Sequence, residues 1–183
     1  MDILKKSAEN YRNYIDYDYT FTLDCGISIT AMFKAENYYH LSGLHYLKDI
    51  VQLDKRLYNN SAKNIYKKIL NGKITHSLIE KSQFYNKIQK RLYYFCNFDE
   101  IVFSKVIVDF DYTILPQTEL LSTYLLYKEY DDGYAILGLK YDNNNDIYIP
   151  ETFIFSETDY YIKNQTTYNV SSITKKHYKD SNI

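Results

Sequence analysis

The chain has 183 residues and a mass of 21.9 kDa, a length that suits one domain, and its 45% hydrophobic and 17% aromatic shares exclude wholesale disorder. Lys and Arg total 22 against 23 Asp and Glu, so the net charge of -1 excludes any inference about partners from the whole-chain balance. Twenty-three tyrosines with no tryptophan is the output expected of an AT-rich genome, so tyrosine clusters alone do not argue for base stacking.

In chain order, the opening MDILKKSAENYRNYIDY lacks the apolar run and small-residue cleavage site of a secretory signal. Residues Tyr19–Lys34 can close a hairpin around Asp24-Cys25-Gly26. Phe33–Leu44 then places Asn37, His40 and Ser42 in one short polar loop between the apolar anchors Phe33, Leu41 and Leu44, with Gly43 allowing a close turn. Ser61 can cap a helix whose apolar residues Ala62, Ile65, Tyr66, Ile69 and Leu70 keep helical spacing, and Gly72 supplies its left-handed stop. Ser77-Leu78-Ile79-Glu80 reads as a capping box that starts a second helix. That helix is expected to reach about Cys96, burying Leu78, Tyr85, Ile88 and Leu92 and exposing Lys81, Lys87, Lys90 and Arg91.

The second half reads as strands. Glu119–Glu129 is followed by Asp132-Gly133, a two-residue hairpin turn, and by a return strand over Tyr134–Tyr141. The Asn143-Asn144-Asn145-Asp146 cluster turns the chain into a third strand, Ile147–Phe155, where Pro150 marks an edge or a bulge. A helical turn at Thr158–Lys163 and a last strand near Asn169–Lys175 follow. Short connections imply antiparallel neighbours. The expected fold is therefore α+β in a single domain, 1–183: a mainly helical layer over 1–100, packed on a twisted antiparallel sheet of four to six strands over 101–176.

Charge is segmented along the chain. Residues 34–91 hold 12 basic and 4 acidic residues, whereas residues 92–162 hold 3 basic and 13 acidic ones. Like charges on one surface add over a Debye length of about 10 Å, so the segmentation shapes the field although the total does not. Two cysteines, Cys25 and Cys96, cannot build a disulfide framework or a four-sulfur zinc site and read as reduced thiols. No apolar run approaches the ~20 residues of a membrane-crossing helix. Together these features predict a cytoplasmic protein with no membrane partner.

One stretch is tempting. Lys105–Leu115 sets Asp109-x-Asp111-x-Thr113 after an apolar strand and resembles the first motif of the haloacid-dehalogenase phosphatases, in which both acids lie near magnesium. The likeness ends there, because that fold continues in alternating strands and helices while this chain continues into hairpins. A Gly-rich phosphate loop, an HExxH helix and a GxSxG elbow are all missing. His40, His45, His76 and His177 make no recognisable metal spacing, so no metal and no cofactor are expected. His40 is the natural proton carrier, since an ordinary imidazole exchanges protons near neutrality.

The blocks NYYHLSGL (Asn37–Leu44), NIYKKILNGKI (Asn64–Ile74) and IPETFIF (Ile149–Phe155) together resemble the phage-associated Barnase–EndoU–colicin–RelE-like nucleases, fourth type. That family's pattern falls on Asn37, Tyr38, His40, Leu41, Ser42, Gly43, Gly72-Lys73, Lys140, Pro150, Thr152, Phe153 and Gln165, across roughly residues 30–175. Ser42 stands where Thr is more usual and keeps the hydroxyl.

The resemblance implies a toxin-like, metal-independent ribonuclease that cleaves RNA by attack of a 2′-OH on the neighbouring phosphate. Such a reaction needs a base, a cation or donor set for the charged transition state, and an acid for the leaving oxygen. The roles fall to His40 as proton carrier, to Lys140 and Lys128 as cations on facing strands, and to Thr152 and Ser42 as phosphate donors. Asn37, Lys73 and Gln165 would contact substrate. RNA is the expected partner, with an inhibitor or host protein as a second one; nothing in the sequence sets the oligomeric state. Two alternatives stand beside this reading: a non-catalytic RNA- or protein-binding module on the same fold, and the magnesium phosphatase using Asp109 and Asp111.

Overall fold

In the computed structural model, which describes residues 2–57, 59–115 and 117–178, the chain divides into two units: Met1–Ile15 with Lys34–Phe98, and Asp16–Phe33 with Asp99–Ile183. The first is built of helices, the second chiefly of strands.

The helical unit contains α1 (Ile3–Arg12), α2 (Asn37–Leu41), α3 (Ala62–Leu70), α4 (His76–Ile79) and α5 (Gln89–Phe95), with single 3-10 turns at 44–46, 51–53 and 85–87. Asp2 starts it. One carboxylate oxygen accepts from Lys5 N at 2.9 Å and the other from His76 N at 2.9 Å, so a single side chain caps α1 and ties it to the first turn of α4. The buried stripe of α1, Leu4, Ser7, Ala8 and Tyr11, meets a core that is mostly aromatic. Tyr11 lies 5.7 Å from Tyr38 and 5.8 Å from Phe95, and Tyr38 lies 5.1 Å from Tyr66. Each buried hydroxyl finds a carbonyl: Tyr38 donates to Leu4 O, Tyr66 to Ala8 O and Tyr11 to Lys34 O. Without those bonds the burial would be costly. These tyrosines are core residues, and desolvation raises the pKa of all three.

The Ser61 cap and the Gly72 stop stand as expected: Ser61 Oγ accepts from Asn64 N, and Gly72 has φ +70°. The long helix from Ser77 to Cys96 does not form. Thr75, not Ser77, caps α4, which ends at Ile79, and α5 begins ten residues later. The break has a tertiary cause. Asp49 accepts from Ser82 Oγ at 2.5 Å and from Gln83 N at 2.9 Å, and Ser82 Oγ accepts from Phe84 N, so side chains claim groups that a helix would have used.

After α6 (Phe98–Val102) the chain builds the remaining strands. The second unit holds β1 (Tyr17–Leu23), β2 (Ser28–Met32), β3 (Val106–Asp109), β4 (Tyr124–Tyr130), β5 (Gly133–Asp142), β6 (Ile147–Ser156) and β7 (Thr166–His177). They close into a seven-stranded barrel in the order β1-β2-β6-β5-β4-β3-β7, which corrects the expected sheet of four to six strands. The hairpins at Gly26, Gly133 and 143–146 are where the turn residues put them. Closure comes from pairings with no local signal. The twelve-residue β7 pairs antiparallel with both β1 and β3, and β2 meets β6 in parallel at Ala31↔Tyr148. Cross-paired Phe21, Ile29, Ile107, Leu126, Leu137 and Phe153 form one fully buried face. The other face of β3, β4 and β5 carries a second cluster, Val108, Leu125 and Ile136, with Phe110 and Leu115 packed on it. Pro150 sits opposite Leu139, at the Gly138/Leu139 register shift, so it marks a bulge in an interior strand. Among the described residues no helix is long and apolar enough to cross a membrane.

Candidate functional site

The chain leaves α2 through Ser42 and Gly43. Gly43 has φ +81°, and a Cβ there would lie 2.7 Å from Ile88 Cγ2 and 3.0 Å from Arg91 Cδ, so only glycine lets the following turn sit this close to α5. That turn, 44–46, lays the His45 ring on the His40 ring, with centroids 4.1 Å apart and planes 18° from parallel. Tyr46 follows at 4.0 Å from His45, and the Arg91 guanidinium stands 5.3 Å from the Tyr46 centroid.

His40 is exposed and His45 is half-buried. Burial, and then the charges of His40, Arg91 and Lys55, pull the His45 pKa down to about 4, so this imidazole is neutral at pH 7. Its Nδ1 is buried without a hydrogen-bond partner, and so is Arg91 Nη1. Burial also lowers the Arg91 pKa, opposed by the Tyr46 hydroxyl.

Beside His45 opens a pocket of about 330 Å³, lined among others by Tyr39, Ile50, Leu53, Lys55 and Arg56. Tyr39 donates its hydroxyl to Leu53 O at 3.0 Å, and the Lys55 ammonium lies 5.1 Å from the Tyr39 centroid. Asp54 also lines the pocket, but Arg56 binds it at 2.8 Å and holds its pKa down to about 2.

The other expected site residues fall as follows. In the helical unit, Asn37 Oδ1 accepts from Lys34 N at 2.9 Å and closes the entry to α2. Ser42 is fully buried and donates to Tyr38 O at 2.7 Å, so it pins the end of α2 rather than offering a hydroxyl to phosphate. Lys73 follows the stop at Gly72 and is exposed.

In the barrel, Lys140 forms a 3.1 Å ion pair with Glu151, the residue displaced by the β5/β6 bulge. Thr152 pairs with Gly138, and its Cγ2 sits 2.8 Å from where a Gly138 Cβ would be. Lys128 does not approach Lys140. It pairs with Ala135, five positions away along β5 or about 17 Å, and strand alternation puts the two ammonium groups on opposite faces. Gln165 is committed at both ends of its amide: Oε1 accepts from Asp111 N and Nε2 donates to Asp111 O. Asp111 caps the turn at 112–114 by accepting from both Thr113 N and Thr113 Oγ1. Asp109 ends β3, a strand flanked antiparallel on both sides, which is not the parallel sheet the phosphatase reading requires.

Sequence reasoning missed His45, Lys55 and Arg91. His45 was legible as a residue but not as a partner of His40, because five-residue spacing meets only through the reversal at Gly43. Arg91 belonged to the exposed face of a continuous helix; the broken chain half-buries it instead.

A family model described as phage-Barnase-EndoU-ColicinE5/D-RelE like nuclease4 matches residues 3–183. Comparison with curated proteins and with solved structures gives no match.

Proposed function

Because the chain belongs to the phage-Barnase-EndoU-ColicinE5/D-RelE like nuclease4 family, we propose that it is a metal-independent ribonuclease whose proton carrier is His40. The observation that carries the proposal is the exposed His40 imidazole stacked on a His45 held neutral first by burial and then by its basic neighbours. A binding module with His40 packed against main chain would not need that exposure.

In the reaction, a base takes the proton of a 2′-OH as that oxygen attacks phosphorus. The bond from phosphorus to the 5′ oxygen breaks, and an acid protonates the departing oxygen, leaving a 2′,3′-cyclic phosphate and a free 5′-OH. His40 exchanges the proton. Within the barrel, Lys140, its ammonium group fixed by Glu151, and Thr152 are proposed RNA contacts. Asn37 and Lys73 are proposed substrate contacts in the helical unit. Ser42, Gln165 and Lys128 drop out on geometry. RNA in the cytoplasm is the proposed substrate, with an inhibitor or host protein as the proposed restraint.

The test is incubation of purified protein with total and transfer RNA in EDTA. His40→Ala should lower the cleavage rate about 100-fold or more, the usual size of general acid–base catalysis, and Lys140→Ala should lower it about 10-fold, each with an unchanged circular dichroism spectrum. Absence of cleavage by the wild type over a broad RNA panel overturns the proposal.

A further inference from the structure

Building on the ribonuclease reading, we propose that the pocket beside His45 is a subsite for one nucleotide of the RNA, with its base against Ile50 and Leu53 and its phosphate at Lys55, on the side of Arg91. The first argument is charge. Arg91 is half-buried, its Nη1 is buried without a hydrogen-bond partner, and among the described residues no carboxylate pairs with it. A desolvated guanidinium without a counter-charge is costly, and an anion is the group it lacks. The Tyr46 ring, and the Tyr46 hydroxyl that accepts a hydrogen bond from the guanidinium, offset part of that deficit. Lys55 lies on the pocket wall, whereas Arg91 stands behind it: its guanidinium is 5.3 Å from the Tyr46 ring, which is 4.0 Å from the His45 ring that lines the pocket.

The second argument is shape and lining. A volume of about 330 Å³ is at the small end for ligand pockets and suits a base with its sugar. Leu47, Ile50 and Leu53 supply apolar wall for the flat faces of a base, while the buried Nδ1 of His45 is a polar atom without a protein partner. The carboxylate of Asp54 would repel an anion, but Arg56 already neutralises it. An apolar slot beside uncompensated cations fits a nucleotide better than a nucleoside or a bare phosphate.

The experiment uses the full chain and records amide and imidazole shifts on addition of 3′-AMP, 3′-CMP, adenosine and inorganic phosphate, with RNA cleavage in EDTA measured in parallel. A nucleotide is expected to shift residues 39, 45, 53, 55 and 91 and to bind at least 10-fold tighter than adenosine or phosphate. Lys55→Gln, at an exposed residue on the pocket wall, should weaken nucleotide binding about 5-fold, and Arg91→Gln should weaken it as well. The inference is overturned by the absence of shifts at those residues at millimolar nucleotide. It is equally overturned by phosphate binding as tightly as nucleotide, or by Lys55→Gln and Arg91→Gln both within twofold of wild type. RNA cleavage without nucleotide shifts sinks the subsite and leaves the ribonuclease; shifts without cleavage do the reverse.

Discussion

His45 shows how a residue's surroundings set its chemistry. Its ordinary pKa of about 6.5 falls to about 4 because burial and three basic neighbours, His40, Arg91 and Lys55, disfavour the imidazolium; a bond to the Tyr39 backbone only partly opposes them. Between pH 6.5 and 4 the folded chain therefore binds fewer protons at this site than the unfolded one. The stability it contributes is full above pH 6.5 and is lost as pH falls toward 4. Because the ring is half-exposed, screening reduces the effect to about 1–2 kcal/mol. Urea midpoints measured from pH 7 down to 4.5 should fall more steeply for wild type than for His45→Gln; parallel pH profiles would show that the imidazole is not held neutral. Gly43 acts at the same scale, since the positive φ that brings His45 onto His40 is also the place where no Cβ fits beneath Ile88 and Arg91.

Among the elements, the region between α4 and α5 is the most instructive. Its sequence has a capping box, helical spacing and strong helix formers, all of which favour one long helix. Asp49 defeats them by taking Ser82 Oγ and Gln83 N. Those bonds also hold the Asp49 pKa below its usual value, led by the Ser82 hydroxyl. Asp49→Ala should thus speed amide exchange at Gln83 and Phe84 roughly tenfold. It should also raise helical signal across residues 80–88, read from carbon secondary shifts. Unchanged exchange at those amides would mean that the break has another cause. By contrast, α3 obeys its sequence, because the Ser61 cap, the apolar stripe and Gly72 agree with one another and no distant group intervenes.

For the molecule as a whole, the charge segmentation follows the architecture. The basic stretch 34–91 lies within the helical unit, and the acidic stretch 92–162 falls mostly within the barrel. The barrel contains a close approach at Gly138 that leaves no room for a side chain. A Cβ at Gly138 would meet Ser122 Oγ at 2.1 Å and Thr152 Cγ2 at 2.8 Å, so β4, β5 and β6 and the segment leading into β4 can close up only around a glycine. Gly138→Ala should cost about 1–3 kcal/mol by overpacking, seen as a lower thermal midpoint. Ser122→Ala should restore part of that loss in the double variant, because it removes the nearer atom. Full additivity of the two substitutions would contradict this packing.

Local chemistry wrote itself plainly into the chain: the turns at Gly26, Gly133 and 143–146, the Ser61 cap, the edge or bulge at Pro150 and a His40 set near Gly43 are short-range matters of φ, hydrogen bonding and spacing. The blocks NYYHLSGL, NIYKKILNGKI and IPETFIF together carried enough of the family pattern to suggest it. Tertiary structure decided what depends on distant partners. Barrel closure needs β7 to find β1 and β3 across the chain, and the second imidazole needs a reversal to meet the first. Arg91 is half-buried where the turn after Gly43 brings Tyr46 against it. Such long-range contacts leave no periodicity in a sequence, since each depends on which surfaces are left uncovered once the rest of the chain has packed.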